Sequence, residues 1–571
     1  MPQFEIKDSV AIIPEGTTVI EFAAFKNCVE LHSVTIPESV TTIESYAFRG
    51  CSSLENIIIP ISVTKIGTGA FDGCTSLKNI TIPESVTDIN PSAFYGCTSL
   101  ESIMIPDSVT YLGNSAFDKC TSLKNITLSE SLTSIEYATL SNCASVKSII
   151  IPQAVTDIDP SAFCGCVSLE SIVVAEGNPV YDSREGCNAI IETETNSLIV
   201  GCKTTIVPES VTQIGCYAFE NRTSLSNITL HAKVTKIKEY AFYGCASLES
   251  ITIPESVTEI GRDAFTGCTS LKSITIPAST TVLYWPIFNG CASLESIVVA
   301  EGNPMYDSRE GCNAIVETDT NTIVTGCATT IIPESVAKIG PEAFVGCSSL
   351  QSITIPSSVT EIGYCAFEGC NSLKTIAIPE SVTEIGHSVF QDCTSLESVA
   401  YPASVTSIYQ NAFSGCTSLE SITIPETVTY ISYSVFSGCT SLKSITIPNS
   451  VTEIDSSVFG CCSSLESITI PESVTKIGSD AFKNCTSLKT VTISKGLKKI
   501  EDYAFSGCEA LKTINLPAGI SKIASTGFDG CANIEAINVP AKKGDYYKQR
   551  LDASLHDKIV ELEPEKKAAK K

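Results

Sequence analysis

Cysteine is the residue whose number and spacing in this chain could carry chemistry. The 571 residues include 27 cysteines, a content that commonly indicates a disulfide framework or metal sites. Nineteen of them occupy one repeated position between Cys28 and Cys531, at steps of 23 residues with two larger steps of 56. Stacked equivalent positions have parallel Cβ vectors that do not converge on a disulfide, and cysteine is among the most buried residue types. We therefore interpret this cysteine column as buried packing.

Arg222 stands in the cysteine column at the one place where the repeated position holds another residue. A charged side chain is costly to bury without partners, and a long one can keep its charged end in water. We therefore expect the Arg222 side chain to turn outward.

Eight cysteines lie outside the column, and four of them form two pairs at equal spacing, Cys187 with Cys202 and Cys312 with Cys327. Each pair flanks a segment with a hairpin pattern, so the two thiols could meet at its base and form a disulfide in an oxidising compartment. Two free thiols are the alternative, and the sequence leaves both open. A zinc site needs more ligands, and no histidine is close in sequence, so we predict no metal site and no cofactor.

Groups for catalysis are sparse. The four histidines, His32, His231, His387 and His556, are scattered along the chain without a nucleophile set beside them by a motif. The chain has no phosphate-binding G-x-x-x-x-G-K, no G-x-S-x-G and no H-E-x-x-H pattern. We therefore predict that the protein is not an enzyme.

The elements that position the cysteines are short repeated coils. In one coil, Leu77 precedes the alternating pair Ile80 and Ile82, which gives the L-x-x-I-x-I pattern of a leucine-rich repeat. Pro83 ends the strand because it cannot donate to a ladder, and the following Ala-Phe-x-Gly-Cys segment fits a single helical turn. The step of 23 occurs in 20 coils. We predict a mostly β leucine-rich-repeat solenoid, a right-handed superhelix of about 20 such coils that bury their apolar sides jointly.

Two near-identical inserts, at about 175–204 and 300–329, interrupt the array and account for the steps of 56. The predicted plan has an N-terminal cap with the first coil at 1–27, the solenoid at 28–540, a C-terminal cap at 541–562 and a disordered charged tail at 563–571. Loops on a rigid scaffold often carry binding residues. Contact residues for a partner are therefore predicted in the inserts, at Tyr181, Arg184, Tyr306 and Arg309. Attachment of the insert to the solenoid is the alternative role.

The outward positions of the predicted sheet form a second candidate surface. They are mostly Ser and Thr, and we select Thr81, Thr252 and Thr423 as candidate binding residues. A column of alternating charge that includes Glu55, Lys78, Glu101 and Lys124 runs beside them. Opposite charges on neighbouring strands stabilise the register weakly. A solvated sheet surface is the alternative interpretation.

The charge balance limits the class of partner. With 37 basic and 63 acidic side chains the formal net charge is −26, which disfavours nucleic acid and anionic lipid, because both bind through Lys and Arg. No apolar run reaches the roughly 18–20 residues of a membrane span, and the first residues show no signal-peptide pattern. We therefore expect a protein partner, no nucleic acid and no membrane insertion, with a monomer favoured.

The unit Ser250 to Gly261, followed by Ala264 to Cys268, resembles the BspA-like, or Treponema-type, leucine-rich-repeat family. The resemblance covers about residues 5–562. It implies a surface or secreted protein of bacteria or protozoan parasites that adheres through extracellular-matrix proteins.

The function that we predict is therefore a non-enzymatic, protein-binding solenoid of the adhesin type at the cell surface or outside the cell. An intracellular leucine-rich-repeat scaffold or structural protein is the alternative. The absence of a visible leader and the abundance of thiols favour that second hypothesis and keep a cytoplasmic location open.

Overall fold

The structure is a computed structural model that describes residues 6–563. The predicted charged tail therefore lies outside the described residues, apart from Glu563. The chain divides into two compact units, Met1–Cys291 and Ala292–Lys571, and each is described by itself below.

Most coils place one strand in a main parallel sheet, whereas residues 351–356 form none. Residues at the same point of neighbouring coils pair in register, as Asn56 does with Asn79 and Ile57 with Ile80. Side chains alternate across the strand, so that Asn79 and Thr81 are exposed while Ile80 is buried. In the N-terminal unit these strands are Val10–Ile12, Ser33–Thr35, Asn56–Ile58, Asn79–Thr81, Ser102–Met104, Asn125–Thr127, Ser148–Ile151, Ser171–Val174, Asn227–Thr229, Ser250–Thr252 and Ser273–Ile276. In the C-terminal unit they are Ser296–Val299, Thr375–Ala377, Ser398–Ala400, Ser421–Thr423, Ser444–Thr446, Ser467–Ile470, Thr490–Ile493, Thr513–Asn515, Ala536–Val539 and the closing strand Ile559–Glu561.

A second strand of two residues follows the turn after the main strand in most coils. Its second residue is buried in the core and its first faces outward. The N-terminal unit has Val19–Ile20, Thr42–Ile43, Lys65–Ile66, Asp88–Ile89, Tyr111–Leu112, Ser134–Ile135, Asp157–Ile158, Gln213–Ile214, Lys236–Ile237, Glu259–Ile260 and Val282–Leu283. The C-terminal unit has Lys338–Ile339, Glu361–Ile362, Glu384–Ile385, Ser407–Ile408, Tyr430–Ile431, Glu453–Ile454, Lys476–Ile477, Lys499–Ile500 and Lys522–Ile523.

The third side of each coil holds the expected single helical turn in the form of two successive hydrogen-bonded turns. The Ala93 N–H donates to Asn90 O at 3.2 Å, and the Cys97 N–H donates to Phe94 O at 3.2 Å. Positive φ at Ser92 (57°) and Gly96 (66°) prevents these turns from continuing as a helix, because the left-handed region interrupts the helical backbone.

The core runs along the inside of the coils. In the coil of Leu77, seven apolar side chains point inward and are at most 7 % exposed: Leu77, Ile80, Ile82, Val86, Ile89, Phe94 and Cys97. Phenylalanines of successive coils stack with nearly parallel rings, for example Phe48 on Phe71 at a centroid distance of 5.3 Å and an interplanar angle of 2°. One coil cannot hide this apolar side alone, so the neighbours bury it together.

The inserts form a layer within the array. In the first, Ala189–Glu192 and Ser197–Gly201 pair antiparallel as a hairpin, and Tyr181–Asp182 adds a third strand. The second insert repeats this arrangement with Tyr306–Asp307, Ala314–Glu317 and Thr322–Gly326. Each has a short 3₁₀ turn, at Arg184–Gly186 and Arg309–Gly311.

The first insert continues the second-strand ladder of its unit. Ser197–Gly201 pairs parallel with Gln213–Ile214, and the Gly215 N–H donates to Leu198 O at 2.8 Å, the kind of bond that joins ordinary coils. Gly201 is required because a Cβ there would lie 2.1 Å from the Phe219 ring. Each insert therefore fills one turn of the array with its own buried side chains.

The described C-terminus closes the last coil. It consists of a short helix at Gly544–Lys548, a 3₁₀ segment at Ala553–Lys558 and the strand Ile559–Glu561. That strand pairs parallel with Ala536–Val539, and Tyr547 fills the end of the core with no exposed surface. Inserts and ends included, the chain forms about 24 turns of about 23 residues, and the predicted mostly β solenoid is confirmed.

Candidate binding surface

The cysteine column lies inside the coils, where the thiols serve as packing. The Cys97 Sγ donates to Phe71 O, 26 residues earlier, at 3.2 Å, and the same bond recurs in neighbouring coils, as from Cys120 to Phe94 at 3.1 Å. Burial raises the pKa of the Cys120 thiol to about 12, so the reactive thiolate is rare near neutral pH. All 27 cysteines carry free thiols. No cluster of metal-ligating side chains occurs among residues 6–563.

The expectation that Arg222 turns outward is wrong. Its side chain is 1 % exposed, and its Nε and Nη1 donate to Gly201 O and Phe163 O, both at 2.9 Å. Gly201 lies in the first insert and Phe163 in the coil before it, and a cysteine at position 222 is too short to reach both carbonyls. A long side chain with several donors bridges the gap, and its hydrogen bonds offset part of the cost of burying the charge.

The four candidate residues of the inserts make contacts within the protein. Tyr181 and Tyr306 are each only 6 % exposed, and burial raises the pKa of Tyr181. The Arg184 Nε donates to both carboxylate oxygens of Asp182 at 2.8 and 2.9 Å, and its Nη1 donates to Asn196 Oδ1 at 2.9 Å. Arg309 makes the matching bonds in the second insert. These arginine bonds lie within each insert, and a further bond from Arg184 Nη1 to Ser210 Oγ at 3.3 Å attaches the first insert to the following coil. A partner contact at these four residues stays a prediction.

The paired cysteines of the inserts are buried free thiols in this structure. The Cys187 Sγ donates to Ala189 O at 3.7 Å, and the Cys202 Sγ donates to Asn188 O at 3.3 Å. Cys312 and Cys327 make the same contacts in the second insert. Burial raises the pKa of Cys187 to about 11, which slows the thiolate attack that disulfide formation requires.

The outward face of the main sheet is presented to solvent. Thr81, Thr252 and Thr423 each occupy an exposed position of their strand. The column of alternating charge runs beside them, with Lys124 and Glu101 joined at 2.9 Å. Both partners are more than half exposed, so the pair contributes little stability.

An apolar stripe occupies this face in the N-terminal unit, and the sequence analysis overlooked it. At the Thr81 position, successive strands alternate between Thr and a large apolar residue, with Ile58 paired to Thr81 and Met104 paired to Thr127. The exposed apolar members are Ile12 (71 %), Ile58 (82 %), Met104 (67 %), Ile150 (61 %) and Val173 (45 %). The column is readable from the sequence when residues are compared at the step of 23.

The stripe is long enough to hold a protein partner. Its eight strands span seven inter-strand steps of about 4.8 Å, or about 34 Å. On one side the exposed acidic residues Glu38, Glu84, Asp107 and Glu130 follow the strands. A row of exposed apolar side chains beside a polar rim is typical of an interaction site. No helix among residues 6–563 has the length and apolar character to cross a bilayer.

Comparison with known proteins agrees with this architecture. The model of the BspA type leucine rich repeat region matches residues 7–107, 87–185, 191–307, 325–443 and 433–549. No curated protein matches the chain significantly.

Three solved structures illustrate the likeness. A leucine-rich repeat protein from Bacteroides ovatus is 24 % identical, with 85 % of this chain and 92 % of that chain covered and a TM-score of 0.25. A leucine rich cell surface protein from Faecalibacterium prausnitzii is 24 % identical, with coverages of 86 % and 92 % and a TM-score of 0.28. The T. pallidum leucine rich repeat protein is 27 % identical over 34 % of this chain and 86 % of its own, with a TM-score of 0.26. With the family model matched over most of its length, the chain belongs to the BspA-type leucine-rich-repeat family.

Proposed function

We propose that the protein is a binding solenoid whose N-terminal apolar stripe holds a protein partner, and that it acts as an adhesin outside the cell. The observation that carries the proposal is the row of Ile12, Ile58, Met104 and Ile150, which stays exposed at a position where most other strands of the sheet present Thr. Leaving large apolar side chains in water forgoes roughly 1.5–3 kcal/mol each. A partner that covers the stripe recovers that free energy.

The proposed location at the cell surface is supported by the description of a similar protein. One similar solved protein is described as a cell surface protein, and leucine-rich-repeat solenoids are typically binding scaffolds without enzymatic activity. Extracellular-matrix proteins are the proposed partners. The intracellular scaffold stays the second candidate, because the buried free thiols suit a reducing compartment as well.

Capture of purified matrix proteins by the immobilised full chain tests this proposal. The variant Ile58→Thr/Met104→Thr/Ile150→Thr gives those three positions the residue of their neighbours, so the fold is retained. We expect it to lose affinity by at least about tenfold, because three exposed apolar anchors are removed. Surface plasmon resonance measures the loss.

The matched control replaces Thr446, Thr469 and Thr492 of the C-terminal unit with Ser, at equivalent exposed positions. Its affinity should equal that of the unchanged chain. Capture of no matrix protein would contradict the adhesin role. Equal capture by the stripe variant and the unchanged chain would contradict the assignment of the binding surface.

A further inference from the structure

A second feature of the molecule is a groove in the C-terminal unit, on the outward side of the second strands. It has a volume of about 640 Å³ and crosses the coils from Lys338 to Tyr409. Its lining includes Lys338, Glu361 and Glu384, at the same position of three successive coils. It also includes the rings of Tyr364, His387 and Tyr409. The groove is therefore lined by both carboxylates and rings.

Two of the aromatic side chains in the groove, Tyr364 and His387, are exposed to solvent. Tyr364 is 51 % exposed, and the His387 and Tyr409 rings lie 5.0 Å apart at a tilt of 51°. Elsewhere in the chain, other tyrosines already have a cation over the ring, as Arg49 over Tyr46 at 5.2 Å and Lys483 over Tyr503 at 5.5 Å. Across residues 6–563, no Lys or Arg lies over Tyr364 or Tyr409. These ring faces are available to a cation from outside.

The electrostatic surroundings favour a cationic occupant. Lys338 is paired with Glu361 at 2.7 Å, which leaves the Glu384 carboxylate as the uncompensated charge of the groove. Glu384 lies close enough to Tyr409 to raise the pKa of its hydroxyl. Residues 331–430 hold ten acidic and two basic side chains, a net charge of 2 − 10 = −8. A sugar could stack on the rings, but neutral sugars gain nothing from this negative field.

The backbone hydrogen bonds between neighbouring coils are interrupted at the groove. At the flanking steps, the Thr360 N–H donates to Ala337 O and the Thr406 N–H donates to Thr383 O, both at 2.9 Å. Within the described chain, the structure has no such bond from Thr383 to Thr360, and the second-strand ladder is interrupted between Glu361–Ile362 and Glu384–Ile385. Both threonines line the groove. An extended peptide could use these backbone groups as well as the side chains.

We propose that this groove binds an extended, arginine-bearing peptide segment, with guanidinium groups over the rings of Tyr364 and His387 and paired with Glu384. Guanidinium suits this lining because it stacks on aromatic faces and pairs with carboxylates through a planar fork. Three steps between coils give a groove about 14 Å long, enough for about four extended residues. The proposal rests on the protein-binding function and gives the chemistry of a second contact with the partner.

Fluorescence polarisation with the full chain tests the proposal. The probe is a labelled hexapeptide of alternating arginine and serine; a glutamate–serine peptide and a labelled neutral chitohexaose are the comparisons. We expect the arginine peptide to bind and the other two to fail. Tyr364→Ala and Glu384→Gln should each weaken its binding by about five- to tenfold.

Two control variants stand at the same coil positions outside the groove. Tyr433→Ala matches Tyr364→Ala, and Glu453→Gln matches Glu384→Gln; both should leave the affinity unchanged. Equal losses in groove and control variants would show general attraction to the acidic surface and overturn the proposal. So would tight binding of chitohexaose, which would indicate a sugar site.

The experiments distinguish failure of the groove proposal from failure of the proposed adhesin function. In one outcome, the variants Tyr364→Ala and Glu384→Gln still capture matrix proteins while the peptide shows no groove-dependent binding. That result contradicts the peptide-binding role of the groove and leaves the adhesin role intact. Groove-dependent peptide binding without matrix capture supports the groove and contradicts that choice of partner.

Discussion

Raising the pH above 9 is expected to unfold the solenoid steeply, because the buried thiols of the cysteine column must stay protonated. The ordinary cysteine pKa is 9.0, and burial raises the pKa of Cys51, Cys120 and Cys245 to about 12. Burial raises the pKa of Cys97 and Cys439 as well. In the unfolded chain all these thiols titrate in water near the ordinary value.

The sign of the effect follows from proton binding. Between pH 9 and about 12 the unfolded chain releases protons that the folded chain retains, so the free energy of unfolding falls as the pH rises. The contribution is fully present below pH 9 and is lost at higher pH. Each pH unit costs about 1.4 kcal/mol per thiol, and a stretch of three coils therefore loses about 4 kcal/mol per unit.

Urea unfolding followed by circular dichroism, at about pH 8 and about pH 10.5 under reducing conditions, measures this loss. Cys462 and Cys461 provide a matched pair, because the first is buried in the column and the second is exposed. Cys462→Ala should make the loss between the two pH values smaller, whereas Cys461→Ala should leave it unchanged. Tyrosine and lysine titrate equally in both variants. An identical pH dependence of the two variants would contradict the role of the column.

Removal of the first insert is expected to destabilise the protein unless Arg222 is replaced at the same time. Deleting residues 175–207 joins Val174 to Pro208 and restores the step of 23 between Cys166 and Arg222. The deletion removes Gly201, whose carbonyl accepts from the Arg222 Nε. The guanidinium is then left in the core of a regular coil that is built for a cysteine. Loss of a partner around a buried charge costs about 3–5 kcal/mol.

The second substitution supplies the test. Arg222→Cys in the deletion background should recover most of the lost stability, because it restores the residue of the regular coil. The same substitution in the full chain should destabilise, because a cysteine is too short to bridge Gly201 and Phe163. The two changes are therefore expected to be strongly non-additive, which thermal unfolding of the four proteins measures.

The second insert serves as the control deletion. Removing residues 300–332 joins Val299 to Pro333 and restores the step of 23, with Cys347 already at the column position. We expect this deletion to leave the thermal midpoint nearly unchanged. If deleting 175–207 is tolerated equally well with Arg222 in place, the proposed coupling between the insert and Arg222 is wrong.

Much of the fold could be read from the sequence because the information is local and repeated. The alternation of Ile80 and Ile82, the proline after them and the step of 23 determine which side of each coil faces inward. The same step predicts that the cysteines share one environment, and burial in the core follows from their number and position. Any single coil would give weak evidence, but the repetition makes the pattern specific.

The sequence by itself determined the solenoid, its inward side chains and the family, since each depends on residues within one coil or at one fixed step. The tertiary structure decided where Arg222, Tyr181 and Tyr306 point, because their partners lie in other coils or across an insert; Arg222 reaches Phe163, 59 residues away. The tertiary structure also revealed the groove between Lys338 and Tyr409. That groove exists because side chains from four coils meet where the backbone ladder is interrupted, and the spacing between neighbouring coils is a property of their packing that no single coil encodes.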